Sequence, residues 1–325
     1  MLIYRCFQIL CVISIVEIAM DTASSTETLV KLKFPPLDPN RLASEEASLQ
    51  TKPINMADDR MDYGTIWNED IKKRAKASVA LLSPSVLKKV NDDFRIEAKS
   101  LREEYNLCPG QRFEKQLSAA YCSGILVSND IVLTAGHCLN EVHASNLPSV
   151  DKVHFVFGYT AQNEKSPGQI SFPGKFVFKG KELIAGKLSP KSDGGEDWAL
   201  VRLERSVPKS LAEPVTRSKG KISDSTKVYV LGYPNGIPLK YAAGATVTEN
   251  KSSQYFVANL DTFGGNSGSG VFKEGTNELT GILVRGFTDY YTTEAGCVKA
   301  YRCSSTGCAG EEVTRVEAVP FENVR

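Results

Sequence analysis

The sequence predicts an all-β domain, either a sandwich or a barrel. From Tyr121 onward, short apolar runs such as VHFVFGY, WALVRL and KVYVLGY recur at regular intervals, and Gly, Pro, Asn and Asp separate them. Helical periodicity is rare in this region, and many short strands without alternating helices are typical of all-β folds. Of the 325 residues, 42% are hydrophobic and 24% are charged, which is enough apolar sequence to bury a core.

The first residues have the pattern of a secretory signal. Arg5 precedes a mostly apolar run from Phe7 to Val16, and small residues follow between Ala19 and Ser24. The run is too short to span a bilayer, which takes about 20 apolar residues. We therefore expect a cleaved signal at residues 1–23 and a secreted protein, extracellular or periplasmic, without membrane contact after signal removal. The alternatives are a buried helix or an uncleaved anchor.

The rest of the chain divides into a polar arm and a larger domain. Residues 24–55 contain four prolines and no clear period, which indicates a propeptide or a loose arm and hence a zymogen. Residues 56–325 form the predicted domain, with a joint between its halves at Ser206–Gly220. The basic cluster at residues 72–74 is either a processing site or a solvated helix face, and the charged stretch 89–105 is mildly helical.

Cysteine usage agrees with export. Six cysteines remain after the predicted signal, and an even number in an exported chain indicates disulfides. Cys122 and Cys138 lie on either side of a predicted hairpin turn at residues 128–130, so a bridge between them would brace the adjacent His137. The other four can pair in three ways, of which we favour Cys108–Cys297 with Cys303–Cys308. No paired CxxC or HxxxH spacing occurs, so no metal site is predicted.

Three residues have the setting of catalytic groups. His137 ends a predicted strand in TAGHC, Asp197 precedes the apolar run WALVRL, and Ser267 lies in the glycine-rich stretch DTFGGNSGSGVF. Apolar strands flank that stretch on both sides, which argues against a flexible linker. His143, in a polar loop, and His154, in a strand, have no such setting.

The chemistry needs these residue types together. A serine hydroxyl is a weak nucleophile until a base takes its proton. His137 is the predicted base, and Asp197 would hold the imidazole in one tautomer and stabilise the imidazolium. Small residues around Ser267 would let the amides of Gly265 and Ser267 converge on an oxyanion.

The motifs TAGHC, DWALVRL and GNSGSG, in the order His, Asp, Ser, resemble the chymotrypsin-like (trypsin-like) serine peptidases. Their wording is most similar to the bacterial glutamyl-endopeptidase branch, in which asparagine precedes the serine, as Asn266 does. The stretch ADDR at residues 57–60 resembles a sequence near the mature N-termini of those enzymes.

The resemblance implies two six-stranded antiparallel β-barrels with the active site in the cleft between them. The first barrel would span about 76–205 and the second about 213–290, followed by a cysteine-rich tail at 291–325. It implies a secreted serine endopeptidase that forms an acyl-enzyme without a cofactor, cleaves polypeptides and acts as a monomer. A net charge of +1 gives no support to nucleic-acid binding. The alternative is a catalytically weak binding protein on the same fold. An α/β-hydrolase is disfavoured because it orders its triad Ser, Asp, His.

Specificity follows from the resemblance less directly. Asp261 occupies the position at the base of the pocket that selects Arg or Lys, with Thr262 beside it and Gly286 at the pocket mouth. Arg285 would cancel that preference if it paired with Asp261. Leu283 stands where glutamyl endopeptidases have a histidine, which argues against a preference for Glu. Asn266 replaces the aspartate that binds a new N-terminal amine in trypsin-like enzymes, which argues against that activation switch.

Overall fold

The computed structural model describes residues 58–142, 147–166, 168–286, 288–302 and 310–323. The predicted signal and propeptide, His143, Cys303 and Cys308 lie outside these ranges. No described helix is long and apolar enough to cross a membrane.

The described strands are all antiparallel and short, as the alternation of apolar runs and turn residues predicts. In chain order their bounds are β1 Met61–Asp62, β2 Ser78–Leu82, β3 Leu87–Val90, β4 Asp93–Ile96, β5 Ala120–Ser128, β6 Ile131–Thr134, β7 His154–Phe157, β8 Glu164–Ser166, β9 Gln169–Pro173, β10 Val177–Leu188, β11 Asp197–Leu203, β12 Lys227–Gly232, β13 Lys240–Glu249, β14 Tyr255–Ala258, β15 Gly270–Lys273, β16 Leu279–Arg285, β17 Tyr290–Thr292, β18 Val298–Ala300 and β19 Glu311–Arg315.

The described α-helices, α1 Glu69–Lys76 and α2 Leu101–Tyr105, are short. The basic cluster at 72–74 lies within α1, where Lys72 pairs with Glu69, as the helix-face alternative predicts. The stretch 89–105 is mostly not helical. It contributes to the hairpin of β3 and β4, and only its end forms α2, which begins at a capping box of Ser100 and Glu103.

Two closed barrels make up the fold, as the family resemblance implied. The first closes in the order β10-β11-β6-β5-β2-β7, and its interior is filled by Val, Ile, Leu and Phe side chains. The second sheet runs β13-β12-β15-β16-β19-β14 and closes through the β13–β14 pairing, with β1 added at the edge of β13. Its strand β19 lies beyond residue 290, so the second barrel extends into the region that we expected to be a tail.

The barrels pack against each other through a continuous apolar cluster. It runs from the core of the first barrel to Tyr229, Tyr233 and Phe272 of the second. Tyr233 stacks on Tyr159 with ring centroids 5.7 Å apart and donates a hydrogen bond to the Ser78 carbonyl. Two disulfides, Cys108–Cys297 and Cys122–Cys138, are present, and both are pairings that the sequence favoured.

Candidate active site

The His137 imidazole is held by the Asp197 carboxylate. His137 lies in the turn Gly136–Cys138 that directly follows β6, and Asp197 is the first residue of β11, the strand paired with β6. The Nδ1 atom of His137 lies 2.8 Å from Oδ2 of Asp197, and the His137 backbone N–H donates to Oδ1 over 3.1 Å. Because the Asp197 side chain is only 1% exposed, both contacts are shielded from water, and they fix the ring orientation.

The Ser267 loop of the second barrel lies against β5 of the first. The Ser123 N–H donates to the Ser267 carbonyl over 2.7 Å, and the Ser123 hydroxyl donates to the Gly265 carbonyl over 2.8 Å. Cys138, the residue after His137, has its Sγ 3.8 Å from the Ser267 carbonyl oxygen. These contacts bring the main chain of the candidate nucleophile beside the candidate base, at the junction of the two barrels.

The glycines on either side of Ser267 are needed for the shape of this loop. Gly265 and Gly268 have φ of 82° and 88°, a conformation that favours glycine. A Cβ at Gly268 would lie 2.0 Å from the Ser123 carbonyl oxygen. Among the described residues, no acceptor takes a hydrogen bond from the backbone N–H of Gly265 or of Ser267. Both amides therefore lack a protein acceptor in the described part of the chain.

The Ser267 hydroxyl makes no hydrogen bond to the imidazole within the described part of the chain. Catalytic hydrogen bonds of this kind are often long in the free enzyme and tighten when substrate binds. Of the three predicted catalytic residues, the structure thus brings His137 and Asp197 into direct contact, while Ser267 is connected to them through its main chain.

Arg285 does not contact Asp261 among the described contacts. Its guanidinium lies 3.6 Å from Oδ2 of Asp197 and 3.1 Å from Oε2 of Glu312, and it donates to the Gly195 carbonyl over 3.0 Å. The pairing of Arg285 with Asp261 that the sequence left open is therefore absent from the described contacts, and Arg285 faces the triad instead.

Asp261 lies under the segment that precedes β1. The Asp59 N–H donates to Oδ2 of Asp261 over 3.2 Å. Burial and the nearby Asp58 raise the pKa of Asp261, and burial together with Asp261 raises the pKa of Asp59 to about 7. The buried Arg60 guanidinium lies 4.0 Å above the ring of Phe263. This segment, residues 58–60, packs where the resemblance places the base of the specificity pocket.

Thr262 and Gly286 both lie against the carboxylate of Glu311, not that of Asp261. The Thr262 hydroxyl donates to Oε2 of Glu311 over 2.8 Å. A Cβ at Gly286 would lie 2.1 Å from the same oxygen, so the carboxylate lies directly against the Gly286 main chain. The sequence motifs do not point to Glu311 or its neighbour Glu312. Both lie in β19, after the cysteine-rich stretch, where no motif marks them.

The remaining candidates behave as ordinary structural residues. Asn266 is buried, and its side-chain oxygen accepts a hydrogen bond from the Ser269 hydroxyl over 3.1 Å. His154 is half-buried in β7, and burial, with the nearby Lys179, lowers its pKa. Within the described ranges, the one cluster with metal-ligand spacing is Cys122, His137 and Cys138. Its two sulfurs are bonded to each other, so they do not offer thiolate ligands.

Comparison with known proteins agrees with the motifs. Residues 122–282 match the family model of the trypsin-like peptidase domain. No curated protein sequence is similar enough to match the chain. Among solved structures, human heparin binding protein is similar at 12% identity, with a TM-score of 0.47 over 78% of this chain and 90% of that one. A Glu endopeptidase is similar at 15% identity, with a TM-score of 0.47 over 82% and 96%.

Proposed function

The chain contains a trypsin-like peptidase domain, and we propose that it is a secreted serine endopeptidase that works through Ser267, His137 and Asp197. The observation that carries the proposal is the buried Asp197 carboxylate bound to both the Nδ1 atom and the backbone N–H of His137. A carboxylate in that place serves a base that must become cationic and stay oriented during the reaction.

In the proposed reaction the Ser267 oxygen attacks the peptide carbonyl while His137 takes the hydroxyl proton. The imidazolium then donates that proton to the leaving amine, and a water molecule hydrolyses the acyl-enzyme by the same steps. The amides of Gly265 and Ser267 would bind the oxyanion. Donors of this kind are each worth roughly 3 to 4 kcal/mol of transition-state stabilisation.

We also propose a preference for Arg or Lys at the cleavage site, with Glu311 as the selecting acid in place of Asp261. Support comes from the position of Glu311 between Thr262 and the side-chain-free Gly286, whereas Asp261 is covered by residues 58–60. Glu311→Gln should then lower kcat/KM for Arg and Lys substrates at least tenfold more than for a neutral residue, and Asp261→Asn should not.

Activation by a new N-terminal amine is not part of the proposal. An ammonium buried beside Asn266 would find an amide and no carboxylate, which is an expensive arrangement. Secretion is supported by the signal-like first residues and by the two disulfides. Removal of a propeptide is supported by the polar, proline-containing stretch 24–55.

The test is labelling by a fluorophosphonate probe together with cleavage of a peptide library. Ser267→Ala should abolish both, while the exposed Ser223→Ala serves as a matched control that retains both. Sequencing the cleaved products gives the preferred residue. A folded wild-type protein that neither reacts with the probe nor cleaves any peptide would contradict the proposal and favour a binding protein on this fold.

A further inference from the structure

The feature of interest is a chain of charged contacts on the outer side of Asp197. Arg285, at the end of β16, lies opposite Glu312 of β19 in the strand register. Its guanidinium bonds to the Glu312 carboxylate and to the Gly195 carbonyl, and Nη2 lies 3.6 Å from Oδ2 of Asp197. Glu312 also holds the Lys191 ammonium. Arg285 is thereby fixed from three sides with one face toward the catalytic carboxylate.

The same carboxylate oxygen serves two partners. Oδ2 of Asp197 is the atom that lies 2.8 Å from Nδ1 of His137 and the atom that faces Arg285. The site is also tied to β19 through the Thr314 hydroxyl, which donates to the Asp197 main-chain carbonyl over 2.9 Å. Because the Arg285 guanidinium also interacts with the Asp197 carboxylate, it weakens the stabilisation that this carboxylate gives to a protonated imidazole.

We propose that Arg285 is a positioning residue of the catalytic site that acts through Asp197, holding the carboxylate in place and keeping the His137 base neutral, and therefore active, at lower pH. This inference rests on the proposed peptidase function. It assigns Arg285 to the triad and not to the specificity pocket.

Other charged residues near Arg285 also contribute to the electrostatic potential at Asp197. Besides Arg285, Lys191 and Glu312, the nearby charged pair is Lys187 of β10 with Glu196, whose Nζ and Oε2 atoms lie 2.5 Å apart. That pair is neutral as a whole. The net positive charge beside Asp197 therefore comes from Arg285 and Lys191 together, opposed by the single carboxylate of Glu312.

Substitutions of Arg285 and of Glu312 should shift the acid limb of the kcat/KM profile in opposite directions. Arg285→Met removes the cation nearest Asp197 and leaves Glu312 paired only with Lys191, so the acid limb of the kcat/KM profile should move to higher pH by about 0.5 to 1 unit. Glu312→Gln removes the acid that competes for Arg285, so the limb should move to lower pH. Arg285→Lys retains the charge and should restore most of the wild-type profile.

A matched control separates this effect from the loss of any positive charge. Arg202 lies near the far end of β11, the strand that begins with Asp197. It pairs with Asp130 in the turn between β5 and β6 and with Glu182 of β10. Arg202→Met should leave the acid limb in place. An equal shift in Arg202→Met, or no shift in a folded Arg285→Met enzyme, would overturn the assignment.

A second measurement does not need proteolysis. In the Ser267→Ala background, NMR titration of the His137 C2 proton should show the same upward displacement when Arg285→Met is added and none with Arg202→Met. An unmoved titration would overturn the role of Arg285 even if the enzyme is a peptidase. A displaced titration in a protein whose wild type cleaves nothing would support the role of Arg285 while the proposed function fails.

Discussion

Lys240 gives the most direct quantitative test of the electrostatics next to the site. Its side chain is 2% exposed, and Nζ donates to Asp62, to Gln116 and to the Pro238 carbonyl over 2.8, 2.8 and 2.6 Å. Burial lowers the pKa of Lys240 from 10.5 to about 8, although Asp62 acts in the opposite direction. The pair joins β1 to the second barrel and thereby anchors the segment that covers Asp261.

The sign of the effect follows from proton binding. Between pH 8 and pH 10.5 the unfolded chain holds a proton on Lys240 that the folded protein has lost, so stability rises with pH in this window. The full separation of the two pKa values corresponds to about 3 kcal/mol. Of this, about 2 kcal/mol should appear between pH 7 and pH 9.5.

Urea unfolding at pH 7 and pH 9.5 measures this difference. The Lys240→Met variant has no amine to titrate, so it should lack the gain of about 2 kcal/mol that the wild type shows. In this variant Asp62 still accepts a hydrogen bond from the Gln116 amide. Lys227→Met, at an exposed position, is the control and should behave as the wild type. If Lys240→Met and wild type gain the same stability over this range, the assignment of a destabilised buried ammonium is refuted.

Further predictions concern the covering segment, the nucleophile loop and the long disulfide. Because the pKa of Asp59 is raised to about 7, its contribution to stability is present below pH 3.8 and lost as pH rises through 7. The amide protection factors of the covering segment, which are corrected for the base-catalysed intrinsic exchange rate, should therefore be lower at pH 8 than at pH 5. Asp59→Asn should remove that contrast. Gly268→Ala should destabilise the protein by about 1 to 3 kcal/mol more than Gly275→Ala in thermal melts. Both glycines have positive φ, but only at Gly268 would the new Cβ clash with a carbonyl oxygen. Equal losses in the two variants would contradict this. Replacing Cys108 and Cys297 together by serine should lower the free energy of unfolding in urea by up to about 5 kcal/mol, because the bridge closes a loop of 189 residues. A loss below about 1 kcal/mol would show that loop entropy does not explain the stabilisation by this disulfide.

Local sequence patterns predicted the short strands and the tight turn at Ser267, whereas the two-barrel arrangement was implied by the family resemblance. Turn residues between short apolar runs mark strand ends, and the hairpin of β5 and β6 forms where residues 128–130 predicted it. The glycines next to Ser267 likewise follow from a tight turn, and they have the positive φ that such a turn requires.

The sequence could not predict the charged surroundings of the site, because these depend on pairing between distant strands. Arg285 meets Glu312 only through the register of β16 and β19, and Asp59 meets Asp261 across more than 200 positions. The charged stretch 89–105 was misjudged for a related reason. Its polar residues have helical spacing, but pairing of β4 with β9 holds part of it extended.

The position of β19 has a consequence for biosynthesis. This strand closes the second barrel and carries both Glu312 and Thr314, which act on the Arg285–Asp197 pair, yet it is the last of the described strands in the chain. A ribosome must therefore translate past residue 315 before Glu312 and Thr314 can contact Arg285 and Asp197 of the proposed site. A polypeptide that ends before residue 311 would lack β19 and would leave the second barrel open between β16 and β14.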